Sequence, residues 1–129
     1  MQPMTEEQRL VRIFHERYLN DNQDVPVLLD GAMLELRSRL LNEEAREFEE
    51  AARGRDLVGM ADALADMLYV ILGTANVFGI DLEPIVREVH RSNMTKSPPS
   101  GGRVKPVKGP DWSPPDIRGE LLKQGWRPD

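Results

Sequence analysis

The stretch LVGMADALADMLYVILGTANVFGI, Leu57 to Ile80, decides the fold. It is apolar nearly all the way round, which marks a helix buried on most sides. Asp56 before it is a capping residue and Gly79 is a C-terminal stop, so the helix is expected over about residues 57–78. Its only charged residues are Asp62 and Asp66, four apart and therefore on one face. That face continues through Tyr69, Gly73 and Asn76, giving a polar stripe within a buried helix. A carboxylate is almost never fully buried unless it is paired or holds a metal.

The preceding segment shows a related break. A helix is expected over residues 31–53, capped by Asp30 and ended by Gly54. Met33, Leu36 and Leu40 form its apolar stripe, but further helical steps lead to Glu44, Glu47 and Ala51. Glu43 adjoins at i−4 from Glu47, so Glu43, Glu44 and Glu47 can converge. Alone, LNEEAREFEEAARGR reads as an ordinary solvated acidic face. Set against the 57–78 helix, which has no lysine or arginine, the carboxylates repel. Raised pKa values or divalent cations relieve this, or else a basic residue from elsewhere, such as Arg37 or Arg91. Hard oxygen ligands without His or Cys select Mg²⁺ or Mn²⁺.

Around these two helices, one more is expected over residues 5–19, with Thr5 and Gln8 as a capping box and Leu10, Phe14 and Tyr18 on its apolar stripe, Ile13 beside it. Another starts at Asp81, tolerates Pro84 in its first turn and runs to about Asn93. A short terminal helix runs from Asp116 through Gln124. No segment alternates as a strand. The short linkers Arg53–Asp56 and Gly79–Asp81 call for antiparallel neighbours. The expected fold is all-α: an antiparallel four-helix bundle-like domain over residues 1–96, with residues 97–129 an extended Pro/Gly-rich tail of the same domain. So apolar a central helix predicts a homodimer or homotetramer that buries it with more than one subunit.

The composition narrows the function. The 129 residues carry a net charge of −5, which argues against nucleic-acid partners. The absence of cysteine excludes disulfides, thiol nucleophiles and thiolate metal sites, and two histidines make a multi-histidine zinc site a poor fit. The acidic start MQPMTEEQRL is no signal peptide. The longest charge-free run, Met67 to Ile80, has 14 residues, short of the ~20 that span a bilayer. A cytoplasmic protein with no membrane partner is therefore expected. In contrast to the acidic helices, His90 to Lys108 contains Arg91, Lys96, Arg103, Lys105 and Lys108 and no acid. An acidic interior beside a basic segment suits a metal–polyphosphate substrate. His90, near a helix C-terminus, reads as a dipole partner more readily than as a base, and Trp112 and Trp126 as packing aromatics.

Taken in order, the motifs are E-E-x-x-E at Glu43, Glu44 and Glu47, D-A-L-A-D-M-L-Y-V at Asp62 to Val70, G-I-D, H-R-S-N-M-T-K at His90 to Lys96, and V-K-G-P-D-W-S-P-P-D. Over about residues 31–118 the chain resembles the all-α nucleoside triphosphate pyrophosphatase superfamily, its MazG-like branch related to phosphoribosyl-ATP pyrophosphohydrolase. The resemblance implies a dimerising helical bundle that cleaves a nucleoside triphosphate, dUTP among the candidates, between the α and β phosphates with Mg²⁺. Glu44 and Glu47 match the family's E-x-x-E, Asp66 the acid closing its second motif, and Asn93 and Lys96 positions expected to contact substrate. The second motif departs from the family, with Ala63 where Glu is usual and Asp62 one residue earlier as a substitute. The expected assignment is Glu43, Glu47, Asp62 and Asp66 on metal with Glu44 on the attacking water. Lys96, Arg91 and Lys108 grip phosphates, and Asn93 and Tyr69 position the nucleotide. Phosphoribosyl-ATP hydrolysis, a non-catalytic dimerisation module and a di-iron bundle stay open as rivals, although the last lacks an E-x-x-H pair.

Overall fold

A computed structural model describes residues 4–128. Its helices are α1 (Glu6–Tyr18), α2 (Gly31–Arg53), α3 (Leu57–Val77), α4 (Leu82–Asn93) and α5 (Ile117–Lys123), with no strand among the described residues. Helix starts follow the expected capping chemistry. Asp30 accepts from the Met33 amide at 3.1 Å, Asp56 from Gly59 at 3.0 Å, Asp81 from Glu83 at 3.1 Å and Asp116 from Gly119 at 2.9 Å. Each carboxylate satisfies a first-turn N–H that has no helical partner. Gly79 turns the chain out of α3 at φ +70°, where a Cβ would overlap the Val25 carbonyl.

α2 and α3 form the expected antiparallel hairpin, and α1 packs against α3. Small residues let α2 and α3 close on each other: a Cβ added at Gly59 would lie 3.2 Å from the Ala51 methyl. Further along, Arg37 of α2 is buried and donates to Thr74 Oγ1 (3.1 Å) and the Val70 carbonyl (3.2 Å) of α3. Gly73 makes room for that guanidinium and for the buried His15 ring, since a Cβ there would sit 3.0 Å from Arg37 Nη2 and 2.6 Å from His15 Nε2. His15 is fixed by a 2.7 Å contact from Nδ1 to Asp21.

Several packing expectations are corrected. The inward face of α1 is Gln8, Val11 and His15; Leu10, Phe14 and Tyr18 are exposed. The capping box is half made, because Thr5 Oγ1 accepts from the Gln8 amide (3.2 Å) but the Gln8 side chain goes elsewhere. It is fully buried and links three elements, donating to Asn76 Oδ1 (3.0 Å) and the Ile80 carbonyl (2.7 Å) and accepting from the Leu82 amide (3.1 Å). On α2 the buried residue is Arg37, with Met33 and Leu40 half-buried and Leu36 exposed. α3 is enclosed at Ala63 and toward its end, at Leu72, Gly73, Ala75, Asn76 and Val77, while Leu57, Val58, Leu64, Leu68 and Ile71 are exposed. By length and composition alone α3 could cross a membrane, more than its charge-free run suggested. Asp62 and Asp66 within it would be expensive in lipid.

α4 does not lie along α3 as the short linker suggested; it packs on α5. Asp81 and Gln124 join the two reciprocally, Asp81 N–H to Gln124 Oε1 at 2.8 Å and Gln124 Nε2 to the Asp81 carbonyl at 2.9 Å. The tail is latched to α4 by Glu88, which accepts from Arg91 Nε (2.7 Å), Arg91 Nη2 (3.0 Å) and the Asp116 amide (2.7 Å). Arg91 also donates to Ser113 Oγ (3.1 Å) and the Pro114 carbonyl (3.0 Å).

Two tests follow from these contacts. Gln8→Leu leaves the Leu82 amide and the Asn76 amide group short of partners, and should cost about 1–3 kcal/mol per stranded group, read as a lower urea midpoint. The Arg91 and Asp116 donors hold the Glu88 carboxyl down at about 2, against an ordinary 4.5. A depressed carboxylate stabilises above its unfolded pKa and loses that stabilisation as pH falls through the folded one. The latch should therefore weaken progressively between about pH 4.5 and 2. Glu88→Gln should loosen the tail already at neutral pH, read by tryptophan fluorescence and by proteolysis of the 97–128 segment.

Candidate active site

The α2–α3 hairpin brings Glu44, Glu47 and Asp66 together, with one carboxylate oxygen from each within 4.8 Å of the others. Glu44 and Asp66 are half-buried and Glu47 is exposed, so the trio sits at the edge of the seam, open on one side. Among the described residues none of the three is in an ion pair. Arg37 is committed to Thr74 and Val70. Its own pKa is pulled down by burial, partly offset by Asp21.

Repulsion falls hardest on Glu44. Its carboxyl is pushed above the ordinary range, first by burial, then by its hydrogen bond to Glu47 and the charges of Glu47, Asp66 and Glu43. Glu44 Oε2 is buried without any hydrogen-bond partner. A half-buried carboxylate with an orphaned oxygen, facing two more carboxylates and no protein cation, fits a hard divalent cation, which would supply what the protein does not. Glu43 and Asp62 are exposed and lie outside the trio.

The remaining candidates are more dispersed. Tyr69, three residues past Asp66, is partly exposed and packs edge-on to Phe14, ring centroids 5.6 Å apart; Phe14 in turn lies 5.0 Å from Tyr18. Asn93 ends α4, its side chain exposed and its carbonyl accepting from the Lys96 amide at 3.2 Å. Arg91 is held by Glu88 and the tail. Lys96 and Lys108 line an open depression of about 690 Å³ together with Arg103 and Lys105. The loop around it is closed by paired backbone hydrogen bonds between Ser97 and Val107, both 2.9 Å. Lys108 also rests 4.4 Å over the Trp112 ring. His90 is exposed at the end of α4.

What the sequence reading missed is the polar layer beside the site, Asp21–His15 with Arg37 and Thr74 over Gly73. The one available signal was Gly73 within an otherwise good helix-forming run.

The family described as Phosphoribosyl-ATP pyrophosphohydrolase matches residues 8–93, well over half of the chain. The chain therefore belongs to that family, within the MazG-like all-α superfamily of nucleoside triphosphate pyrophosphatases, and is a pyrophosphohydrolase, a hydrolase of phosphoric anhydrides. No curated protein matches it.

The electrostatics of the trio are testable without substrate. A carboxyl whose folded pKa is raised loses folding stability as pH rises from its unfolded value, here an ordinary 4.5, through the folded one. Metal-free Glu44→Gln should lack this loss and be more stable than metal-free wild type at neutral pH. Urea unfolding with and without Mg²⁺ is the measurement, with the order expected to narrow or reverse when Mg²⁺ is present.

Proposed function

We propose that the protein hydrolyses a nucleoside triphosphate to the monophosphate and pyrophosphate with Mg²⁺, Mn²⁺ serving in its place. The observation that carries this reading is the convergence of Glu44, Glu47 and Asp66, with one Glu44 oxygen buried without a partner and no protein cation among the described residues in an ion pair with any of the three. Glu44, Glu47 and Asp66 would hold the cation, which supplies neutralisation of the polyphosphate and of charge developing in the transition state. Glu44, whose carboxyl is pushed above the ordinary range by burial and by its acidic neighbours, orients the attacking water and accepts its proton. Lys96 and Lys108, with Arg103 and Lys105 beside them, grip phosphate oxygens, and Tyr69 and Asn93 position the nucleoside. Arg91 is held instead as the support of the tail.

A second reading, phosphoribosyl-ATP as the substrate, is favoured by the family description and uses the same chemistry. A pyrophosphate-release panel with Mg²⁺ covering dUTP, the four dNTPs and phosphoribosyl-ATP separates the two. A flat panel would instead favour a non-catalytic helical module. On the preferred substrate, Glu44→Gln should lower kcat by ~10²–10⁴. Lys96→Ala should raise KM by roughly 10–100-fold through loss of a charge-assisted contact. Wild-type turnover in Glu44→Gln would remove Glu44 from the base role.

The exposed apolar faces of α1 and α3 point to assembly in the same reading. Leu57 and Val58 are 77% and 82% exposed, and Leu64, Leu68 and Ile71 continue along α3 beside Leu10, Phe14 and Tyr18 of α1. A second copy covers this face and completes the helical bundle that one chain leaves open. Light scattering should give at least a dimer at micromolar concentration, and Leu68→Glu should shift the population toward monomer.

A further inference from the structure

The α2–α3 register limits how many cations the site takes. Ala51 faces Gly59, Glu44 and Glu47 face Asp66, and Arg37 reaches Val70 and Thr74. Each step back along α2 is thus matched by a step forward along α3. On that register the residue of α3 opposite Glu47 is Ala63, which is 3% exposed. A methyl group occupies the place in the seam from which α3 would present a second carboxylate. Asp62 does not fill it. One residue earlier on a helix is a turn of ~100°, and Asp62 is exposed and outside the trio. Glu43 is likewise exposed and outside it.

We infer that the site binds one divalent cation per chain, held by Glu44, Glu47 and Asp66, and that Asp62 is not a ligand. The inference rests on the metal reading given under the proposed function. Oxygen ligands of one octahedral Mg²⁺ or Mn²⁺ stand ~2.1 Å from the ion and so ~3–4 Å from one another. Three oxygens within 4.8 Å match a single such shell with little adjustment. Two ions ~3.5–4 Å apart would need bridging carboxylates plus further ligands on each ion. With Ala63 in the seam, the carboxylates are exhausted after the first ion. The single ion keeps several positions for water and substrate phosphate oxygens, and charge on the remaining phosphates falls to the lysines of the tail loop.

The experiment is titration of the full chain with Mn²⁺ alone, following loss of the free-ion electron paramagnetic resonance signal. Wild type should bind one Mn²⁺ per chain with no spin-coupled pair. Asp62→Ala should keep that stoichiometry and affinity, and Asp66→Ala should lose the ion. Ala63→Glu, checked for helicity by circular dichroism, should gain a second Mn²⁺ and a coupled-pair signal. Two ions per wild-type chain, or an affinity loss of tenfold or more in Asp62→Ala, would overturn the inference while leaving the metal site standing. No binding to wild type would overturn both. A folded Ala63→Glu that still binds one ion would overturn the role given to Ala63. If that variant does not fold, the wild-type and Asp62→Ala titrations decide.

Discussion

Everything at the site depends on how closely α2 and α3 approach. Helix axes come near each other only where side chains at the crossing are small or polar groups find partners across it. This seam meets both conditions along its length: Gly59 against Ala51, the Ala63 methyl in the middle, and Gly73 beneath Arg37 and His15. Arg37 fixes the register through Thr74 and Val70 without spending its charge on the carboxylates two turns further along α2. The positive charge that would have quenched Glu44, Glu47 and Asp66 is thereby kept out of the site. Structural and chemical demands on the seam are met by different residues on different turns.

The polar stripe of α3 shows the same division. Asp66 faces α2, Tyr69 meets Phe14, Gly73 admits two buried side chains, and Asn76 belongs to the Gln8 junction. A single stripe thus serves the acidic trio, surface packing, helix approach and chain closure in turn. Its last residue belongs to the buried amide cluster through which Gln8 joins α3 to the start of α4.

Helix boundaries were legible because capping is local chemistry: Asp30, Asp56, Asp81 and Asp116 announce helix starts within a few residues of the amides they accept from. The approach of Glu44, Glu47 and Asp66 was legible because the hairpin linker is short enough to fix which faces meet. What the pattern could not show was which side of a helix faces inward when the inward side is polar. In α1, Leu10, Phe14 and Tyr18 are the more hydrophobic stripe, yet Gln8 is buried against a loop carbonyl and amide that need partners, and His15 against the Asp21 carboxylate. In α2, Arg37 takes the buried place that hydrophobicity assigned to Leu36. Periodicity reports where apolar residues lie; it does not report whether this chain or another covers them. The turn of α4 onto α5 rests on Gln124 and Asp116, more than thirty residues from the α3–α4 linker, a distance at which local patterns carry no information.

The raised carboxyl of Glu44 has a consequence for how a cation enters. Burial and the surrounding carboxylates favour the protonated form of Glu44, so a proton and a cation would relieve the same crowding in the seam. On the proposed metal reading, a divalent ion would bind in competition with that proton, and binding would release acid into solution. Affinity for the cation would then rise with pH, and the heat of binding would vary with the ionisation enthalpy of the buffer that takes up the proton. Acidification would thus weaken the hold of a divalent cation on this seam by competition, through a side chain that need never leave its helix.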